Sequence, residues 1–142
     1  MAELTLERRL NAGPSRAFEF ITQPQNLTQC WGPEGMTIPE GDLDFSRLGP
    51  WDSVMMNAEG QRYHVSGEVT EISAPSSVSF TWAWHDENGD RGYESQVRLE
   101  LEPQGDATLM RIIHTGLPDD DSAQSHNGGW TSTLNKLEQL LN

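Results

Sequence analysis

The side chains of this 142-residue chain best suited to chemistry are two histidines, a set of tryptophans and one arginine on an apolar strand face. His114 closes the alternating stretch "ATLMRIIHT" and shares a face with Met110 and Ile112. A histidine in that position is either a satisfied core residue, a polar anchor for a ligand, or a general base if a carboxylate orients it. His126 stands beside Gly128, Gly129 and Trp130 in "SHNGGWTSTLNKL", from where it could approach His114 across the mouth of a cavity. A metal site would need a third ligand that the pattern does not supply, so neither metal nor other cofactor is expected. Arg8 falls on the apolar side of "ELTLERRL" and must find an anion or reach water. It reads either as an ion pair with an inward carboxylate such as Glu68 or Asp44, or as a polar anchor for an acidic head group.

Five tryptophans is a high number for this length. Trp82, Trp84 and Trp130 point by pattern toward one interior space, where each could fill core or form a ligand wall with one donor. Trp31 and Trp51 flank the expected entrance loops, and Met36, Met55 and Met56 would give that end an adaptable lining. Tyr93 shares the apolar face of its strand, and Tyr63 is a candidate to hold a polarised oxygen. The candidate ligand-binding set is therefore Trp31, Met36, Trp51, Tyr63, Trp82, Trp84, Tyr93, His114, His126, Gly129 and Trp130.

These residues need elements to position them. "ELTLERRL" alternates as a strand, "PSRAFEFIT" and "PQNLTQCW" read as short helices, and six strands follow: "MTIPEGDLDF", "WDSVMMN", "RYHVSGEVTEI", "SVSFTWAWH", "GYESQVRLELE" and "ATLMRIIHT". Turn residues such as Asn88-Gly89 and Gly105-Asp106 divide them. Asp119 to Asp121 cap a final helix from about Asp120 to Leu141, with Ala123, Trp130, Leu134, Leu137 and Leu141 as its apolar stripe. The fold class is α+β: a curved antiparallel sheet of six to seven strands, greasy on one side, wrapped around the long C-terminal helix in a single domain spanning 1–142. Gly128 and Gly129 interrupt that helix at a loss of roughly 1 kcal/mol each relative to alanine. They would either admit a strand closely or widen a space between helix and sheet.

The net charge of −13 disfavours nucleic acid and anionic membranes as partners. No signal peptide or membrane-spanning run is apparent, so a soluble, cytoplasmic chain is expected. Cys30, the one cysteine, reads as a lone partly buried thiol rather than a catalytic thiolate. The edge strand "ELTLERRL" allows a monomer or a weak homodimer. No phosphate loop, nucleophile elbow or HExxH sequence occurs, and nothing requires an enzyme.

The run "WGPEGMTIP", then "DLDFSRLGPW", "TWAW" and "HTGLP" followed by "GGW" and "LNKL", resembles the activator of heat-shock-protein-90 ATPase homologue family. That family belongs to the START-like, or SRPBCC, superfamily of helix-grip domains. The resemblance implies a beta, alpha-alpha, six-beta, alpha topology with a cavity between sheet and long helix, and it directs His114 inward. The turn Asp44-Phe45-Ser46-Arg47-Leu48-Gly49 departs from the family's Asp-x-Arg-x-Gly-Gly by displacing the arginine one position. Three functions are in view. The first is a module holding a hydrophobic or aromatic small molecule, a reading that requires a void near the volume of a small ligand, roughly 300 Å³ or more. The second is a cyclase- or hydrolase-like enzyme using the same cavity, and the third an interaction protein with a chaperone partner.

Overall fold

The computed structural model describes residues 2–31, 37–86 and 88–141. Its elements run β1 (Ala2–Leu10), α1 (Pro14–Thr22), α2 (Pro24–Cys30), β2 (Thr37–Glu40), β3 (Gly49–Met56), β4 (Arg62–Ser73), β5 (Ser77–Trp84), β6 (Ser95–Gln104), β7 (Ala107–Leu117) and α3 (Asp120–Leu140). The strands form one antiparallel sheet of seven, ordered β1-β7-β6-β5-β4-β3-β2. Strands β2 to β7 therefore make a continuous meander, and β1 closes the far edge by pairing Leu6 with Ile112 and Arg8 with Met110.

Alternation decides which face is covered. Val97, Leu99 and Leu101 on β6, Met110 and Ile112 on β7, and Val78, Phe80 and Trp82 on β5 are all buried in one cluster with Trp130, Leu134, Leu137 and Leu141 of the terminal helix. The opposite face carries charge: Arg98 bonds Glu71 and Glu100, and Arg111 bonds Glu7 and Glu100. Helix α3 begins where Asp119 accepts the Ser122 N–H at 2.8 Å, and Asp120 and Asp121 add negative charge to its positive end. Among the described residues no helix is long and apolar enough to cross a membrane.

Two strand boundaries differ most from the sequence reading. The stretch expected as a strand through Phe45 stops at Glu40. Gly41 follows at φ 128°, with space for a Cβ only 2.8 Å from the Asp52 carbonyl oxygen, and the chain then turns so that the Phe45 N–H reaches the Thr22 carbonyl at 3.0 Å. Phe45 thereby enters the core and stacks on Phe80 at 4.2 Å. The strand expected from Gly92 starts at Ser95 instead. Here the Gly92 N–H closes back on the Trp84 carbonyl at 2.7 Å, and Tyr93 is left 43% exposed.

Candidate functional site

Trp82 sits at the centre of an aromatic cluster because its alternating position on β5 faces the middle of α3. Its ring lies 5.6 Å from Trp31, 5.5 Å from Trp84, 5.3 Å from Trp130, 5.6 Å from His114 and 5.9 Å from His126. Trp31 ends the short helix α2 and meets Trp130 edge-on at 5.6 Å. Between these walls is a cavity of about 90 Å³, bounded by Trp31, Met55, Trp82 and Trp84 on one side and by Ser125, His126, Gly129, Trp130 and Thr133 of α3 on the other. Ser125 is exposed and Trp84 half-buried, so the space reaches the surface at their end. The void is well below the roughly 300 Å³ that the first reading requires, because four indole rings from three different elements converge on it.

Hydrogen bonds fix the protonation of both histidines. An indole can only donate and a carbonyl only accept. Trp130 Nε1 donates to His114 Nδ1 at 3.1 Å, so Nδ1 is bare. His114 Nε2 then holds the proton and donates it to Ser95 Oγ at 2.7 Å, while the serine hydroxyl bonds the Trp82 carbonyl at 3.3 Å. On α3, His126 Nδ1 donates to the Ser122 carbonyl at 2.7 Å, and its Nε2 accepts from Trp84 Nε1 at 3.1 Å. Each histidine thus holds one tryptophan wall. Burial, reinforced by the neighbouring His126, pushes the His114 pKa down to about 3, and burial also lowers that of His126. With both ring nitrogens engaged, neither imidazole has a free lone pair to act as a base.

Two polar atoms in this region have no such partner. The indole N–H groups of Trp31 and Trp82 are buried and unbonded, in side chains 3% and 5% exposed. All the tryptophans facing the cavity therefore divide into two that are tied by histidines and two that are not.

The other predicted site residues lie elsewhere. Trp51 is buried, 5.9 Å from Trp31 and 5.7 Å from Trp82, but it packs against Phe45 and Phe80 behind the cavity and donates Nε1 to the Thr81 carbonyl. Tyr63 and Tyr93 are on the surface, at 40% and 43% exposure, and neither lines the cavity. Met36 is outside the described residues. His114 stands behind Trp130 rather than on the cavity wall. Arg8 pairs with Glu138 at 2.7 Å and Asn135 at 2.8 Å on α3, neither Glu68 nor Asp44, because β1 packs along the last turns of that helix. Arg47, at the displaced turn, bonds Asp42 and Asp44. Of the paired glycines, Gly129 borders the cavity while Gly128 faces open space. Burial pushes the Cys30 thiol up to about 12, which keeps it protonated and inert.

Thr133 and Ser125 were not anticipated, although the helical spacing 125, 126, 129, 130, 133 places them on one stripe with His126 and Trp130. A second group was missed on the opposite face. There an open basin of about 1110 Å³ contains Asp52, His64, Ser66 and Arg91. His64 bonds Asp52 at 3.1 Å and stacks on His85 at 4.0 Å, and Ser66 bonds both His85 and Arg91. The alternation that placed these residues on the polar face read as a wet surface. Their polar groups satisfy one another, whereas those of the aromatic cavity do not. Among the described residues no cluster of three or more His, Cys, Asp or Glu is arranged to hold a metal ion.

The family described as Activator of Hsp90 ATPase homolog 1-like protein matches residues 11–142. The crystal structure of the AHSA1 protein from Silicibacter pomeroyi is 48% identical to this chain, with 99% of this chain and 97% of that one covered at a TM-score of 0.95. Crystal structures of a protein from Chromobacterium violaceum (22% identity, 98% and 96% coverage, TM-score 0.87) and one from Mycobacterium smegmatis (22%, 99% and 90%, 0.81) share the fold. No curated protein matches the chain.

Proposed function

The chain belongs to the Activator of Hsp90 ATPase homolog 1-like family, within the START-like superfamily, and from that premise we propose that it binds a small, flat, largely apolar molecule in its tryptophan cavity. The observation that carries this reading is the pair of Trp→His hydrogen bonds, Trp130 to His114 and Trp84 to His126, which hold two walls of an apolar space in place. Preorganised aromatic walls reduce the entropy lost when a planar ligand is ordered. The volume of 90 Å³ limits the ligand. An engineered cavity that takes benzene measures roughly 150 Å³. A one-ring occupant would therefore leave part of itself in the mouth beside Ser125.

Thermal unfolding followed by tryptophan emission, against a panel of monocyclic aromatic compounds, tests the proposal. Ligand at about 100 times its Kd adds about 2.7 kcal/mol and should raise the midpoint by several degrees. Ser125→Trp, at an exposed position on the cavity's rim, should abolish the shift without unfolding the chain. A flat response to every compound would defeat the proposal.

The family's description favours a second reading, stimulation of a chaperone ATPase. Purified chain added to Hsp90 would then raise its rate of ATP hydrolysis, and an unchanged rate would exclude it.

A further inference from the structure

We infer that Ser66 and His85, at the open basin on the polar face of the sheet, form a nucleophile and general base that transfer the acyl group of a small ester. The site is separate from the tryptophan cavity and goes beyond the reading of that cavity. Ser66 stands on β4 opposite Ala83 of β5, and His85 follows directly after β5. A tight loop then returns the chain. The Asp86 carboxylate accepts the N–H groups of Asn88 and Asp90, both at 2.9 Å, and His85 bridges to Arg91. His85 and Arg91 are thereby brought to the same serine.

Donor and acceptor chemistry fixes the direction of each bond. The Gly89 carbonyl can only accept, so His85 Nδ1, 3.2 Å from it, carries the proton of the neutral ring. Nε2 is then bare and accepts the Ser66 hydroxyl proton at 2.7 Å. This is the order an activated serine requires: a nucleophile, a base within hydrogen-bond reach, and a third group that orients the base. His64 stacks on the His85 ring at 4.0 Å and is itself tied to Asp52, which restrains that ring from its flat side. Arg91 donates Nε to Ser66 Oγ and Nη2 to the Ser66 carbonyl, both at 3.2 Å, while Glu94 holds its Nη1 at 2.9 Å. A guanidinium held beside Oγ stabilises negative charge that develops there and on the adjoining acyl oxygen.

In acylation, Oγ bonds the ester carbonyl carbon and the ester C–O bond breaks. The serine proton passes to His85 Nε2 and from there to the departing oxygen. Water then attacks the acyl carbon and gives a proton to His85, and Ser66 recovers that proton as the acid leaves. The basin, about 1110 Å³, has room for both halves of an ester. Leu48, 64% exposed, and Pro50 give it an apolar lining. Its carboxylates, Asp42, Asp52, Glu68 and Glu94, outnumber the guanidiniums of Arg47 and Arg91, which favours a neutral or cationic ester over an anionic one.

Hydrolysis of para-nitrophenyl acetate by the intact chain tests the assignment. Nitrophenolate should be released faster than in buffer, and peptide mass mapping of the acid-quenched reaction should place the acetyl group on Ser66. His85→Asn keeps a donor for the Gly89 carbonyl and removes the base. That variant and Ser66→Ala should each slow the release about a hundredfold or more, while thermal midpoints show that both remain folded. Release unchanged in Ser66→Ala, an acetyl group mapped to a different residue, or no release above buffer would overturn the proposal.

Discussion

Trp130 of the terminal helix donates its indole N–H to His114 of β7 at 3.1 Å, across the boundary between helix and sheet. The bond ties the wall of the candidate site to the rigid core, so a defect in one is transmitted to the other. His114→Ala would leave the Trp130 N–H and the Ser95 hydroxyl without this partner and open a void. We expect a loss of roughly 2–4 kcal/mol in urea-induced unfolding, together with a change in tryptophan emission in the folded baseline.

Burial of His114, with His126 beside it, makes stability depend on pH. His114 is neutral in the native state and its pKa is depressed to about 3, whereas in the unfolded chain it titrates near its ordinary value of 6.5. Between those values the unfolded state takes up a proton that the native state refuses. Its stabilising contribution is complete above pH 6.5 and is lost as the pH falls through the native value, on the order of 5 kcal/mol across the whole window. His126, also depressed, acts in the same direction. Unfolding measured between pH 6.5 and 5 should show wild-type stability falling with pH, and a shallower slope in His114→Ala. Equal slopes would show that His114 titrates normally in the folded chain.

Two glycines should respond in opposite ways to alanine. At Gly128 a Cβ would meet nothing within 4 Å, so Gly128→Ala should stabilise the chain by about 0.5–1 kcal/mol through better helix propensity. At Gly67 a Cβ would lie 1.9 Å from the Thr81 carbonyl oxygen, a backbone atom that cannot swing aside. Gly67→Ala should destabilise by about 3 kcal/mol or more. Thermal midpoints of the two variants give both signs in one experiment.

Arg8 is partly exposed and pairs with a more exposed Glu138, so its ion pair is screened by water. Arg8→Ala should lower stability by less than about 1 kcal/mol, with the difference shrinking at high salt. Ligand-induced thermal shifts should be unchanged. A variant that lost binding would restore Arg8 as a ligand anchor.

Much of this architecture follows from local pattern. The alternation of Val78, Phe80 and Trp82 against Ser79 and Thr81 specified a half-buried strand, and Asp119 before an apolar helical stripe specified where α3 begins. The motif resemblance added the order in which sheet and helix are joined. Trp82, Trp84, His126, Gly129 and Trp130 could be assigned to one interior space because periodicity determines which side of an element a residue occupies. Periodicity says nothing about distance between elements that are far apart in sequence. The Trp130–His114 and Trp84–His126 bonds depend on the register of β7 and β5 relative to α3, and the choice of Glu138 for Arg8 depends on how β1 packs along that helix. Nor could sequence reveal that Tyr93 falls outside its strand or that the cavity holds only 90 Å³, since both arise from how loops and bulky rings settle together in three dimensions. Residue type and spacing determined which groups face the interior. Tertiary packing alone decided which of them are satisfied, leaving the indoles of Trp31 and Trp82 as buried donors without a partner.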